Sequence, residues 1–114
     1  SYSSVTGTFG YNCLLGKIFF HSSAQITGDV TPNFTNLNLD VGYATVITIM
    51  INQGVSARDI VGIQIEGNAQ SLAWQGGSPT VGNTNSLDIV TFSIFRHGSG
   101  NTDYIVMAQL MNFG

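Results

Sequence analysis

Six carboxylates, two histidines and one cysteine are the groups this 114-residue chain offers for acid–base, nucleophilic or metal chemistry. Five of the carboxylates, Asp29, Asp40, Asp59, Glu66 and Asp103, fall in or beside expected turns. Glycoside hydrolysis requires two carboxyls facing one bond, and the spacing here singles out no pair. His21 has no second ligand at the spacing of a metal site and is expected as a polar residue at a strand end. Cys13 sits among Tyr11, Leu14 and Leu15, which is the setting of a small buried hydrophobe. Nothing in the sequence brings His21 or His97 to it as a base. No alternating Asp/Asn run suits calcium, and the Gly76-Gly77 loop lacks the lysine of a phosphate loop. The residues thus point to no catalytic site, no metal and no cofactor. The remaining candidate is Trp74, followed by Gln75 and Gly76-Gly77. An indole presents a large flat apolar face, and with Gln75, Asn83 and Asn85 it would make a sugar-stacking platform. Packing at the edge of a sandwich or between subunits explains the same tryptophan more economically.

The segments around these residues carry almost no charge. Charged residues are 8% of the chain and apolar ones 43%, against roughly 25% charged in an ordinary globular domain. Two readings follow, and they are compatible. Copies of the chain cover one another's apolar surface, or an extracellular all-β domain uses Thr, Ser, Asn and Gln as its wet face. Three cations and a net charge of −3 leave no footprint for phosphates, so nucleic acid is not an expected partner. The longest apolar run, 41–51, is broken by Gly42, Thr45 and Thr48 and is too short to span a bilayer as a helix. No secretory leader pattern is expected at the N-terminus, and a lone cysteine forms no disulfide within the chain.

Period-two alternation dominates the chain. Residues 1–10 read as an arm or connector with a short strand at 5–9, and 11–114 as a single domain. Residues 17–21 form a first strand. Pro32 argues for an edge, bulge or break within 24–39. Residues 43–53 are the clearest central strand, with Tyr43, Thr45, Ile47, Ile49 and Ile51 on one face and Ala44, Val46, Thr48 and Met50 on the other. Both faces are largely apolar, so a second sheet should cover one and a subunit interface the other. Residues 60–66 alternate into a Gly67-Asn68 turn and a strand at 70–74. A long Gly/Asn-rich loop, 75–86, leads to a strand at 87–97, whose Asp88 and Arg96 either pair across a sheet or subunit interface or, more simply, cap its wet ends. A hairpin turn at 98–101 leads to a last strand at 103–111. The fold expected is all-β, an antiparallel, jelly-roll-like β-sandwich of seven or eight strands. The interface residues expected are Ile47, Ile49, Ile51, Phe92, Ile94 and Met107. An echo between Thr8-Phe9-Gly10 and Asn112-Phe113-Gly114 suggests one unit of a tandem array.

The succession of residues 46–53, then Trp74 with Gly76-Gly77-Ser78-Pro79, then Leu87-Asp88-Ile89-Val90-Thr91-Phe92, resembles modules of structural and tail-fibre-like proteins of tailed bacteriophages. It is nearer to modules of marine cyanophage virion proteins, with Tyr11-Asn12-Cys13-Leu14-Leu15-Gly16, Phe34-Thr35-Asn36 and Gly114 included in the match. The resemblance runs from about residue 11 onward. It implies a trimeric virion module without enzymatic activity, of tail-fibre, appendage or capsid-decoration type, assembled in the host cytoplasm. Its partners would be copies of itself, other virion proteins and a host surface glycan met during adsorption. The alternative from a different class is a secreted carbohydrate-binding module built on Trp74 and the polar loops.

Overall fold

The computed structural model describes residues 4–114. The strands are β1 (Val5–Asn12), β2 (Ile18–His21), β3 (Ile26–Thr35), β4 (Ala44–Asn52), β5 (Gln64–Ile65), β6 (Asn68–Ala69), β7 (Leu72–Trp74), β8 (Leu87–Arg96) and β9 (Tyr104–Phe113), with one 3-10 turn at Gln75–Gly77. The described residues contain no α-helix. Two sheets form, in the orders β1-β3-β5-β6 and β2-β4-β8-β9-β7. The fold is therefore all-β, as the alternation requires.

Two expectations about it are corrected. The strands number nine rather than seven or eight, because 60–74 breaks into three short pieces. The sheets are mixed rather than antiparallel: β1 with β3, β3 with β5, β2 with β4 and β7 with β9 all pair parallel. The cause is the path of the chain. Strands β1 to β4 alternate between the two sheets, so each connection crosses the sandwich instead of turning back within a sheet. Strands one and three, and two and four, then become neighbours and run the same way. This departs from an antiparallel jelly roll. The short strand expected at 5–9 is present within β1, which runs on to Asn12. β1 pairs with β3 from Val5 onward, and Val5 is fully buried, so the sandwich already includes residues 5–10. Residues 1–3 of the expected arm lie outside the described residues.

Successive strand residues point to opposite faces, and one face of each sheet meets a shared core. Ile47, Ile49 and Ile51 of β4, Val90, Phe92 and Ile94 of β8 and Val106 and Ala108 of β9 pack against Val5 and Tyr11 of β1 and Ile26, Val30 and Phe34 of β3. The rings of Phe34 and Phe92 meet edge to face across the sheets at 5.4 Å, an arrangement aromatic pairs favour.

Pro32 lies inside a sheet, not at its edge. In β3 the groups of Val30 face the β5 side, where Val30 N–H donates to Asp59 and Val30 C=O accepts from Val61. Two residues on, Pro32 turns the same way. Its missing N–H falls between the Val30–Ile60 bridge and the Asn33–Gln64 pair, where no ladder bond is needed. The expected turn at Gly67-Asn68 lies one residue earlier. Gln64 pairs with Ala69 and Ile65 with Asn68, with Glu66 and Gly67 both at positive φ, 49° and 81°. This is the two-residue turn that a twisted hairpin favours. After β6 the chain leaves this sheet, and β7 joins the other one beside β9.

Candidate functional site

The outer faces of the two sheets differ in kind. On the four-stranded sheet β1 turns out Thr6, Thr8 and Asn12, and β3 turns out Thr27, Asp29, Thr31, Asn33 and Thr35, by alternation against their buried neighbours. That is a wet face. On the five-stranded sheet the registers place Phe20, Met50, Ile89 and Met111 in one cross-strand row, and Val46, Ser93, Met107 and Ala73 in another. Between them runs a row of Ile18, Thr48, Thr91 and Gln109, and beyond them one of Ala44, Phe95 and Ile105. No Lys, Arg, Asp or Glu stands at any of these positions. Ile18, Phe20, Val46, Ile105, Met107 and Phe113 remain between 47% and 72% exposed. At about 16 Å² per strand residue, this face measures on the order of 600 Å².

The interface residues expected from sequence fall mostly on the other side of the same strands. Ile47, Ile49, Ile51, Phe92 and Ile94 are at most 1% exposed and already fill the chain's own core. Met107 lies on the outer face. The correction has a simple reason. Both faces of β4, β8 and β9 are apolar, so hydrophobicity does not distinguish the one the chain covers itself. The outward residues Phe20, Val46, Phe95 and Ile105 are not among the expected interface residues. The signal available for them was the absence of charge on their parity.

Trp74 closes β7 beside Ala108, half-buried and packed against the core. On one side it borders a cavity of about 530 Å³ lined also by Asp59, Leu72, Pro79 and Val81. On the other it borders a recess of about 400 Å³ in the outer face, lined also by Gln75, Ser93, Met107 and Gln109. Asn83 and Asn85 line neither cavity. Asn83 is bonded to Asp88. Asn85 makes a turn at φ 54° and donates its N–H to Gly54. The structure thus does not gather Trp74, Gln75, Asn83 and Asn85 into one platform.

Asp88 is fully buried rather than capping a wet end. Its position shares the inward parity of Val90, Phe92 and Ile94, which is the signal that its carboxylate needs donors. It finds four. Oδ2 accepts from Asn83 N–H at 2.8 Å and Gln53 Nε2 at 3.2 Å, and Oδ1 from Asn83 Nδ2 at 3.0 Å and Asn112 Nδ2 at 2.9 Å. Burial pushes its pKa up, but the Asn83 backbone and the three side-chain amides outweigh this and hold it below the usual carboxylate value. Gln53 and Asn112 are members of the cluster that sequence reasoning missed. At the far end of β8, Arg96 donates to the carbonyls of Leu39 (2.7 Å) and Gly98 (3.1 Å) and lies over the Tyr104 ring. Eight residues of strand, about 26 Å, keep Asp88 and Arg96 apart.

His21 is likewise buried rather than exposed at a strand end. Its Nε2 lies 2.8 Å from Tyr11 Oη, and burial lowers its pKa. Cys13 is buried, its thiol aimed at the Tyr11 carbonyl at 3.9 Å. Burial raises its pKa; nearby Lys17 lowers it and Glu66 raises it further, with a net rise. Glu66 accepts the Leu37 N–H at 3.1 Å, a bond that ties the 36–43 connection to the β5–β6 turn. Among the described residues no three His, Cys, Asp or Glu side chains gather as a metal site.

No protein-family model matches this chain, and no curated protein or solved structure does either.

Proposed function

We propose that this chain is a non-enzymatic structural module that assembles with copies of itself through the outer face of its five-stranded sheet. One observation carries the reading: that face has no charged residue at any outward position, whereas the other sheet turns out Thr, Asn and Asp. Apolar area removed from water stabilises association by about 25 cal/mol per Å², before the costs of immobilising the partners. A face on the order of 600 Å² compares with the roughly 800 Å² per partner of a standard interface. The residues around Trp74 and β8 that resemble tailed-phage modules supply the setting, a virion appendage, fibre or capsid decoration, and the number three. Host adsorption through the exposed 75–81 segment belongs to the same proposal.

Light scattering after size exclusion, at micromolar concentration, tests it. A mass three times that of the chain is expected, and a stable monomer overturns the reading. A second reading, a carbohydrate-binding module, is favoured by the placement of Trp74 between two cavities. On a glycan array, binding by the wild type that Trp74→Ala loses while keeping its fold would support this reading over the first.

A further inference from the structure

The five-stranded sheet has two unlike edges. At one, the turn of residues 13–17 and strand β2 project Leu14, Leu15, Ile18 and Phe20, all between 52% and 78% exposed. The turn is held in shape by Asn12, whose side-chain oxygen accepts the Leu14 N–H and whose carbonyl accepts the Leu15 N–H. Beneath it Tyr11 packs on Phe19 at 4.8 Å, so the projecting residues stand on a firm base. At the other edge, β7 contributes only three residues before the Gln75–Gly77 turn carries the chain out of the sheet. Beyond Ala108 strand β9 has no ladder partner on that side, and next to this margin the outer face holds the recess of about 400 Å³ lined by Trp74, Gln75, Ser93, Met107 and Gln109. The recess is lined by uncharged residues throughout.

The heights of the two features agree. Ile18 shares its cross-strand row with Thr48, Thr91 and Gln109, and the last two line the recess. The next row, Val46, Ser93, Met107 and Ala73, contains the rest of the recess floor. In the β2 direction that row leads to the turn just before Ile18. A projection on one edge and a recess on the other, in the same rows, make two unlike surfaces that a second copy can join without sliding along the strands. Contacts between unlike surfaces form rings when the rotation closes and filaments when it does not. The absence of a shift along the strands favours the ring. Lys17, the one charge in the turn, can lay its alkyl stem on the contact and keep its ammonium in water.

We infer that copies of this chain join head to tail, with the Leu14–Leu15 turn and β2 edge of one copy seated in the β7-edge recess of the next. This rests on the self-association reading and narrows its contact to the two margins of the outer face. The test uses Leu15→Asp, which spoils the projection, and Met107→Asp, which spoils the recess. Both sites are exposed, and circular dichroism and thermal melting confirm that each variant folds. Light scattering should find the wild type as a closed oligomer and each variant alone as a monomer, with association at least tenfold weaker. Mixed in equal amounts, the variants should form a one-to-one dimer of twice the chain mass. In that dimer the intact projection of Met107→Asp fills the intact recess of Leu15→Asp, and the other two surfaces stay blocked. An oligomeric wild type whose variants remain oligomeric alone, or remain monomeric when mixed, overturns the head-to-tail contact but not self-association. A monomeric wild type overturns self-association itself, and this inference with it.

Discussion

Asn83 holds Asp88 twice, its backbone N–H on Oδ2 at 2.8 Å and its side-chain amide on Oδ1 at 3.0 Å. With Gln53 and Asn112 completing the set, a carboxylate is buried without any cation. Four donors converge on an acceptor, so the site suits a charged oxygen pair and nothing else. The same bonds fasten the end of the 75–86 loop. Ser86 accepts from Asn112 at 2.7 Å, and Asp59 Oδ1 accepts the Gly82 N–H at 2.6 Å. The second half of the loop is therefore fixed to the sandwich, and the unbroken exposed run is 75–81, with Thr84 and Asn85 exposed beyond it.

Asp88→Asn is expected to destabilise the fold by about 2 kcal/mol, because an NH₂ group would face donors in a buried site. Asp88→Ala, which leaves several donors unsatisfied, should cost about 3 kcal/mol or more. Urea unfolding measures both. Hydrogen exchange at Asn83 should quicken in both variants before the core strands lose protection. An Asp88→Asn variant as stable as wild type would show that the carboxylate's charge contributes nothing.

The pH dependence of stability has two windows. His21 has a lowered pKa in the fold because burial disfavours its charged form. The unfolded chain takes up its proton below about 6.5, while the folded chain does not, so the unfolded state binds more protons there. Stability is full above that value and is lost as pH falls toward the folded pKa. Asp88, also lowered, contributes stability above its ordinary value, lost as pH falls further. The wild-type melting temperature should therefore fall over the interval just below about pH 6.5. His21→Gln can still bond Tyr11 Oη and cannot titrate, so its curve should be flatter in that interval. Equal slopes would remove His21 as the cause.

Gly67→Ala tests the β5–β6 turn. Gly67 sits at φ 81° with nothing within 4 Å of where a Cβ would stand. The cost comes from the backbone alone, about 1–2 kcal/mol for a left-handed L-residue. Thermal melting should detect it. A larger loss accompanied by altered β7 packing would mean that the turn also sets the crossing from one sheet to the other.

The long strands were legible because their alternation is strict. Residues 43–53, 87–97 and 103–111 became β4, β8 and β9 within two residues at either end. The choice of inward face was not legible for assembly, since Ile47 and Val46 are equally apolar neighbours and only one is buried. Pairing was legible only where a turn is local. The β8–β9 hairpin follows from Gly98-Ser99-Gly100-Asn101, but no local signal joins Tyr11 to Phe34 in a parallel ladder. In 60–66 the buried residues are Ile60, Ile63 and Ile65. That spacing is irregular, so the expected strand breaks there and leaves Val61 in solvent. Asp88 and His21 misled because polar residues near strand ends usually meet water. The amides that satisfy Asp88 come from three separate parts of the chain.

Val46 and Ile94 separate folding from assembly most cleanly. They lie on adjacent strands near the same end of the sheet, where Val46 pairs with Ser93 and Thr45 with Ile94. Ile94 is fully buried and Val46 is 54% exposed. Ile94→Ala removes core volume and should cost about 2–5 kcal/mol, lowering the urea midpoint whether or not copies associate. Val46→Ser acts on the outer face, where an isolated chain should lose no more than about 0.5 kcal/mol. If the outer face is the assembly surface, Val46→Ser lowers the oligomer mass at micromolar concentration and makes the melting temperature less dependent on concentration. Unchanged mass and an unchanged concentration dependence for Val46→Ser would place the assembly surface elsewhere on the sandwich.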